Sequence, residues 1–170
     1  PEEMFGRQVL VSDLATNHIS YIDVGFDVTC LPPHLLPWLD LFGTILTEIG
    51  TERLDYKQFA KEIATCTGSF SHSLTTYTKK QEIGVTKPVL WLHLKCLPDY
   101  LERALQLLGE ILASASFKDR ARIREIVGRE FAWAEHAAQS EGYNFPSIRL
   151  FSHLSNAGKY SEMFSGVTAY

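Results

Sequence analysis

A chain of 170 residues, 45% hydrophobic and 21% charged, has the size and composition of one globular domain, which excludes a disordered tail, a coiled coil and a fibrous repeat. The net charge of −4, with both signs spread along the chain, leaves no basic footprint to neutralise phosphates, so nucleic acid is not an expected partner. No apolar run approaches the roughly 18 residues that cross a bilayer, so no membrane partner is expected either.

Residues 1–170 are therefore read as a single domain, in chain order as follows. Residues 19–28 place Ile22, Val24, Phe26 and Val28 at alternate positions beside Tyr21, which predicts a strand with one core face, entered through an Asn17-His18 turn. Residues 33–49 carry Leu35, Leu39, Phe42, Ile45, Leu46 and Ile49 at helical spacing, opened by Pro32-Pro33 and closed by Gly50, with Pro37 marking a late first turn. Asp55 and Gln58 form a capping-box pattern for a second helix striped by Tyr56, Phe59, Ala60 and Ile63 and stopped by Gly68. Two β-prone runs, 69–78 and 89–97, predict an antiparallel pair joined through the polar stretch 79–87.

Asp99 with Glu102 predicts the cap of a third helix, on which Leu101, Leu105, Leu108, Ile111 and Leu112 share a face. Residues 118–140 predict a fourth, with Ile123, Ile126, Val127, Phe131 and Ala134, and Asn144 with Pro146 opens a shorter fifth. The order β-α-α-β-β-α-α-α implies an α+β two-layer sandwich, a mainly antiparallel sheet with helices on one face.

Catalytic chemistry finds no home in these elements. Zinc hydrolases need two His one helical turn apart and a carboxylate that polarises water, the reason H-E-x-x-H and H-x-x-E-H are informative spacings. Neither occurs. The nearest approach, Glu135-His136, has adjacent side chains that splay by about 100° and do not converge on a metal. The remaining His are scattered: His18 in a turn, His34 at a helix start, His72 and His93 on strands that pair, His153 in a helix. No G-x-S-x-G elbow, phosphate loop or G-x-G-x-x-G pattern is present. We thus expect no catalytic, cofactor-binding or metal-binding residues. Exposed aromatics such as Trp38, Trp91 and Trp133 would line a groove, but they fall in apolar stripes, and core packing is the favoured reading.

Cys30, Cys66 and Cys96 are odd in number and far apart, so they are read as reduced and buried, which implies a reducing compartment. The start Pro1-Glu2-Glu3-Met4 has neither the basic end nor the apolar stretch of a signal peptide, and has the look of a processed or excised piece.

Several stretches resemble one family in order and spacing: Thr16-Asn17-His18-Ile19-Ser20-Tyr21, Leu31-Pro32-Pro33-His34-Leu35-Leu36-Pro37, Leu41-Phe42, Thr47-Glu48-Ile49-Gly50-Thr51, Asp55-Tyr56, Thr67-Gly68, Ser147-Ile148-Arg149, Ala157-Gly158 and Phe164-Ser165-Gly166. Together they are similar to the third, non-catalytic domain of the presequence-protease branch of the pitrilysin/insulinase zinc metallopeptidases. The resemblance implies the pitrilysin/mitochondrial-processing-peptidase-like fold. It also implies a clamshell of two halves, each of two homologous domains, with an inverted zinc motif in the first domain alone. Aligned on Ile49-Gly50-Thr51, Leu41, Thr44 and Ile45 stand where that motif has its two His and its Glu. His18 departs from the Gly expected after Thr-Asn.

The resemblance implies that the chain is a piece of a larger protein whose parent holds zinc and degrades unfolded peptides. The piece itself is expected to be inactive, to hold no cofactor and to form part of a peptide chamber, its partners being other domains of the same polypeptide and, in the parent, the peptide substrate. The implied location is bacterial cytoplasm or a mitochondrial or organellar matrix. The alternative is a stand-alone inactive binding or assembly module of the same fold, and a third is a small enzyme with an unrecognised site. A piece of this kind is expected to expose apolar area around Phe151, Tyr160 and Phe164 and along the tail Thr168-Ala169-Tyr170, and to self-associate.

Overall fold

The computed structural model describes residues 2–4 and 6–169; Pro1 and Tyr170, singled out in the sequence, lie outside the described residues. The two residues of the predicted entry turn, Asn17 and His18, both take the left-handed conformation, with φ of 51° and 60°. Asn tolerates that region, and His18 occupies it where a glycine would be at no cost. The chain then enters the central sheet.

Strands β3 (Ser20–Asp27), β4 (Ser69–Lys79) and β5 (Glu82–Cys96) form an antiparallel sheet in the order β3-β5-β4. The stretch 79–87 is less a connection than strand: β4 and β5 run through it and turn at Lys80 and Gln81. Two short strands not foreseen in the sequence, β1 (Glu2–Met4) and β2 (Arg7–Val9), make a separate antiparallel ribbon. They are too short to give a periodic signal.

Alternation along β5 sets the layers. Leu90, Leu92, Leu94 and Cys96 are buried, while Val89, Trp91 and His93 on the other face are half-buried and Lys95 is exposed. Against the buried face lie α1 (Leu39–Glu48), α2 (Tyr56–Cys66) and α3 (Leu101–Ser114), whose Leu46, Phe59, Leu107, Leu108 and Ile111 make one core with Leu92 and with Ile49 just past α1. Helix α6 (Asn156–Ser165) adds Phe164 to a second cluster with Val28, Leu36, Leu39 and Leu90. The fold is α+β, an antiparallel sheet covered by helices, as the order of elements implies.

Local chemistry explains most boundaries. Asp55 accepts from the Gln58 backbone N–H at 2.8 Å while the Gln58 side chain accepts from Asp55 N, a closed capping box. The predicted helix over 33–49 is two pieces: a 3-10 helix Pro33–Trp38 containing Pro37, then α1. Pro37 lacks the N–H that an α-helix would use, so regular bonding starts after it. Asp99 and Glu102 do not cap α3; a 3-10 turn, Pro98–Tyr100, leads into it instead. Helix α4 (Arg120–Ser140) starts two residues later than predicted, capped by Asp119, which accepts from Arg122 N at 2.9 Å. Helix α5 (Asn144–Leu154) matches, but its continuation after Ser155 as α6 was not foreseen.

Gly43 is required by a close approach: a Cβ there would run into the His72 ring of β4. Its absence lets His72 Nε2 reach Asp40 Oδ1 at 3.1 Å, tying α1 to the sheet.

Several expected core positions are not core. Phe26 is 39% exposed on β3, which is an edge strand of the sheet. On α3 the buried face is Ala104, Leu107, Leu108 and Ile111, and Leu105 and Leu112 face water, a rotation of the stripe by about one position. Cys66 and Cys96 are buried, and burial pushes the Cys96 thiol up. Cys30 is exposed, since it sits in the turn leaving β3 rather than on it.

Candidate functional site: an acid-rimmed groove and a polar relay

Helix α1 stands where the resemblance places a zinc-bearing helix, so its donors decide whether zinc fits. Leu41 and Ile45 offer no donor atom; Leu41 borders a groove and Ile45 packs on the core. Thr44 spends its hydroxyl locally, donating to the Asp40 carbonyl at 3.2 Å. These residues do not fit a zinc ion. Among the described residues no group of three or more His, Cys, Asp or Glu could hold a metal, and Glu135 and His136 lie side by side on α4 without converging.

What the helices build instead is a groove. The first half of α4 is anchored on α1 by Glu48, which accepts from Arg122 at 2.9 Å and from Arg129 at 2.8 Å. Arg122 also lies over the Tyr56 ring at 4.8 Å, and hydrogen bonds to the Glu48 and Glu130 carboxylates push Arg129 up from its ordinary value. From Val127 onward α4 flanks a groove of about 770 Å³, bounded by the 3-10 turn before α1, the start of α1 and residues of the chain's last helices. Its apolar lining includes Trp38, Leu41, Phe131, Trp133 and Val167, and its polar lining is Asp40, Glu130 and Glu135.

The exposure of these side chains corrects the sequence reading. Trp38 is 62% and Trp133 72% exposed, not core, and Trp91 alone of the three is partly covered. Phe131 is likewise exposed, whereas Phe164, expected at the surface, is buried, and Phe151 is exposed as expected. Helical periodicity marks a stripe; it does not say whether the stripe has a partner.

The second arrangement lies on the other face of the sheet. His72 and His93 are on paired strands but point to opposite faces, because His93 is opposite Ser71 and His72 is opposite Leu92 in the register. His72 meets α1. His93 bridges three strands: its Nε2 is 2.8 Å from Ser73 Oγ on β4 and its Nδ1 is 2.6 Å from Asp23 Oδ1 on β3. Beside it Trp91 stacks on the His93 ring and lies across Gly25, where a Cβ would be 2.7 Å from Trp91 Cζ3.

Hydroxyl, imidazole and carboxylate in that order can pass a proton. Acyl transfer needs in addition a water-excluded site with donors aimed at a developing oxyanion, and here Asp23 is 54% exposed and the groove does not reach the relay. The relay serves to tie β3, β5 and β4 together. No sequence pattern announces it, since its members are 20 and 70 residues apart and meet only through strand register.

A comparison with known families decides the affiliation. The family model that matches residues 2–170 is described as "Peptidase M 16C associated". The chain belongs to that family. This peptidase-associated domain is 29% identical over 169 residues to Protein HypA of Clostridium perfringens, covering 99% of this chain and 17% of that protein. It is 29% identical over 164 residues to Presequence protease 1, chloroplastic/mitochondrial, of Arabidopsis thaliana, covering 96% and 15%. Over 152 residues it is 26% identical to the mitochondrial presequence protease of Xenopus tropicalis, covering 89% and 15%. The chain thus spans 15–17% of the length of these curated relatives. It is presequence-protease-like, as the ordered motifs implied. No helix among the described residues is long and apolar enough to cross a membrane.

Proposed function

We propose that this peptidase-associated domain is a non-catalytic, chamber-forming part of a zinc-dependent oligopeptidase that degrades unfolded peptides. In this reading residues 1–170 act as one unit and supply wall and scaffold to a closed chamber, limiting substrate size and excluding water, while zinc and the polarised water are held by another domain of the same polypeptide. The observation that carries it is α1: in a chain matched to the family from residue 2 to 170, the helix in the zinc-bearing place presents Leu41, Thr44 and Ile45. The names of the relatives, mitochondrial, chloroplastic and bacterial, together with the buried free thiols of Cys66 and Cys96, favour a reducing location in bacterial cytoplasm or an organellar matrix.

The purified 170-residue chain is expected to retain no stoichiometric zinc after dialysis and to leave unstructured peptides intact. One tightly held zinc per chain, or chelator-sensitive cleavage that survives clean-up, would overturn the reading.

A further inference from the structure

The groove along α4 is a feature that a wall role by itself leaves unexplained. From Val127 to Ala138 its α4 side runs about 16 Å at 1.5 Å per residue, some three helical turns. Phe131 and Trp133 stand 64% and 72% exposed on it, and large aromatics are costly to leave in water. The polar lining is one-signed: Asp40, Glu130 and Glu135, with no Lys, Arg or His among the lining residues. Asp40 and Glu130 are each engaged from outside the groove, by His72 and Arg129. Glu135 has no partner among the described residues.

An apolar trough between helices with acids on its rim is complementary to an amphipathic helix whose apolar stripe is flanked by basic residues. We propose that the groove between α4 and the 3-10 turn before α1 receives a basic amphipathic helix supplied by another part of the same longer polypeptide. The choice of source rests on the reading of this chain as one part of a larger protein: at 15–17% of the length of its relatives, most of the chain able to cover the groove is covalently connected to it. Such a tethered helix docks at high effective concentration, so modest complementarity suffices.

Trp38 and Trp133 report on the groove directly. The probe is a synthetic Leu/Ala helix of about 18 residues, long enough to be helical alone, with Lys flanking its stripe. Controls are the same helix flanked by Glu and a Lys-flanked peptide broken by a central Pro. The Lys-flanked helix is expected to shift tryptophan emission to the blue, saturably, and to bind at least about tenfold more tightly than either control. Glu135→Lys and Trp133→Ala should abolish the preference, and both alter exposed side chains, so circular dichroism should be unchanged. Equal binding of Lys and Glu helices, equal binding of the broken peptide, or a shift with protein concentration alone would overturn the proposal, the last by pointing to a second copy.

The source is tested with Trp133→Cys. Maleimide labelling mapped at position 133 should be at least about tenfold slower in the longer polypeptide carrying this domain than in the 170-residue chain; equal rates would overturn an internal helix. None of these readouts depends on zinc or cleavage, so the proposal and the chamber reading fail separately.

Discussion

Helices α3 and α4 follow one another in the chain and both carry apolar residues at helical spacing, yet they end differently. Helix α3, of 14 residues, buries Ala104, Leu107, Leu108 and Ile111 against the sheet and α2. Helix α4, of 21 residues, buries Ile126 alone of its own residues and holds Phe131 and Trp133 out in water. The first is attached by burial, the second by the ion pairs of Glu48 with Arg122 and Arg129. An apolar stripe therefore states a demand for a partner, and whether these residues meet that demand is a separate matter.

The contrast is broken most severely from the α3 side. Leu107 is fully buried, so Leu107→Ala should cost about 2–5 kcal/mol through lost transfer energy and a cavity. Chemical denaturation reads this as a lower midpoint; a loss below about 1 kcal/mol would mean that α3 is no better packed than α4. Glu48→Gln removes the charge facing two arginines, and Arg122 has a side chain only 16% exposed. A loss of about 1–3 kcal/mol is expected, with faster amide exchange in the first half of α4. An unchanged exchange pattern would assign the anchoring to Ile126 instead.

A smaller effect concerns pH. The Arg53 guanidinium hydrogen bond, reinforced by Thr51, holds Glu110 on α3 below the ordinary glutamate value of 4.5. A carboxylate depressed in the folded state adds stability that is present above that ordinary value and is lost as pH falls through its folded value. Arg53 is half exposed, so solvent screening limits the contribution to under about 1 kcal/mol. The stability difference between the parent chain and Glu110→Gln should accordingly shrink below about pH 4.5; a difference that grows on acidification would reverse the sign. Smallest of all is Trp133→Lys, within about 0.5 kcal/mol, as for surface positions without buried contacts. A loss above about 1 kcal/mol would show that α4 is already covered within this chain and would erase the contrast between the two helices.

Legibility in the sequence followed the range of the interactions. The capping box at Asp55 and the turn at Asn17-His18 are decided within a few residues, and they were readable; Pro37 was read only as a late first turn of one helix, where it divides the segment in two. The phase of α3 was not: Leu105 and Leu107 are equally apolar, and only the position of the sheet selects Leu107. The burial expected of Trp38 and Trp133 failed for the same reason. The groove carried one faint signal, aromatic residues on a long helix that also bears Glu130 and Glu135, and the relay carried none.

Residue chemistry alone thus settled the order of most elements, the α+β class and the lack of a His-Glu-His set at positions 41, 44 and 45, because each depends on local periodicity, short-range capping or the identity of a side chain. Which stripes found partners was settled by tertiary packing. The pairing of Asp23, His93 and Ser73, the opposite aims of His72 and His93, and the uncovered face of α4 depend on strand register and on where helices dock. Those are set by contacts between residues tens of positions apart, whose geometry no local pattern encodes.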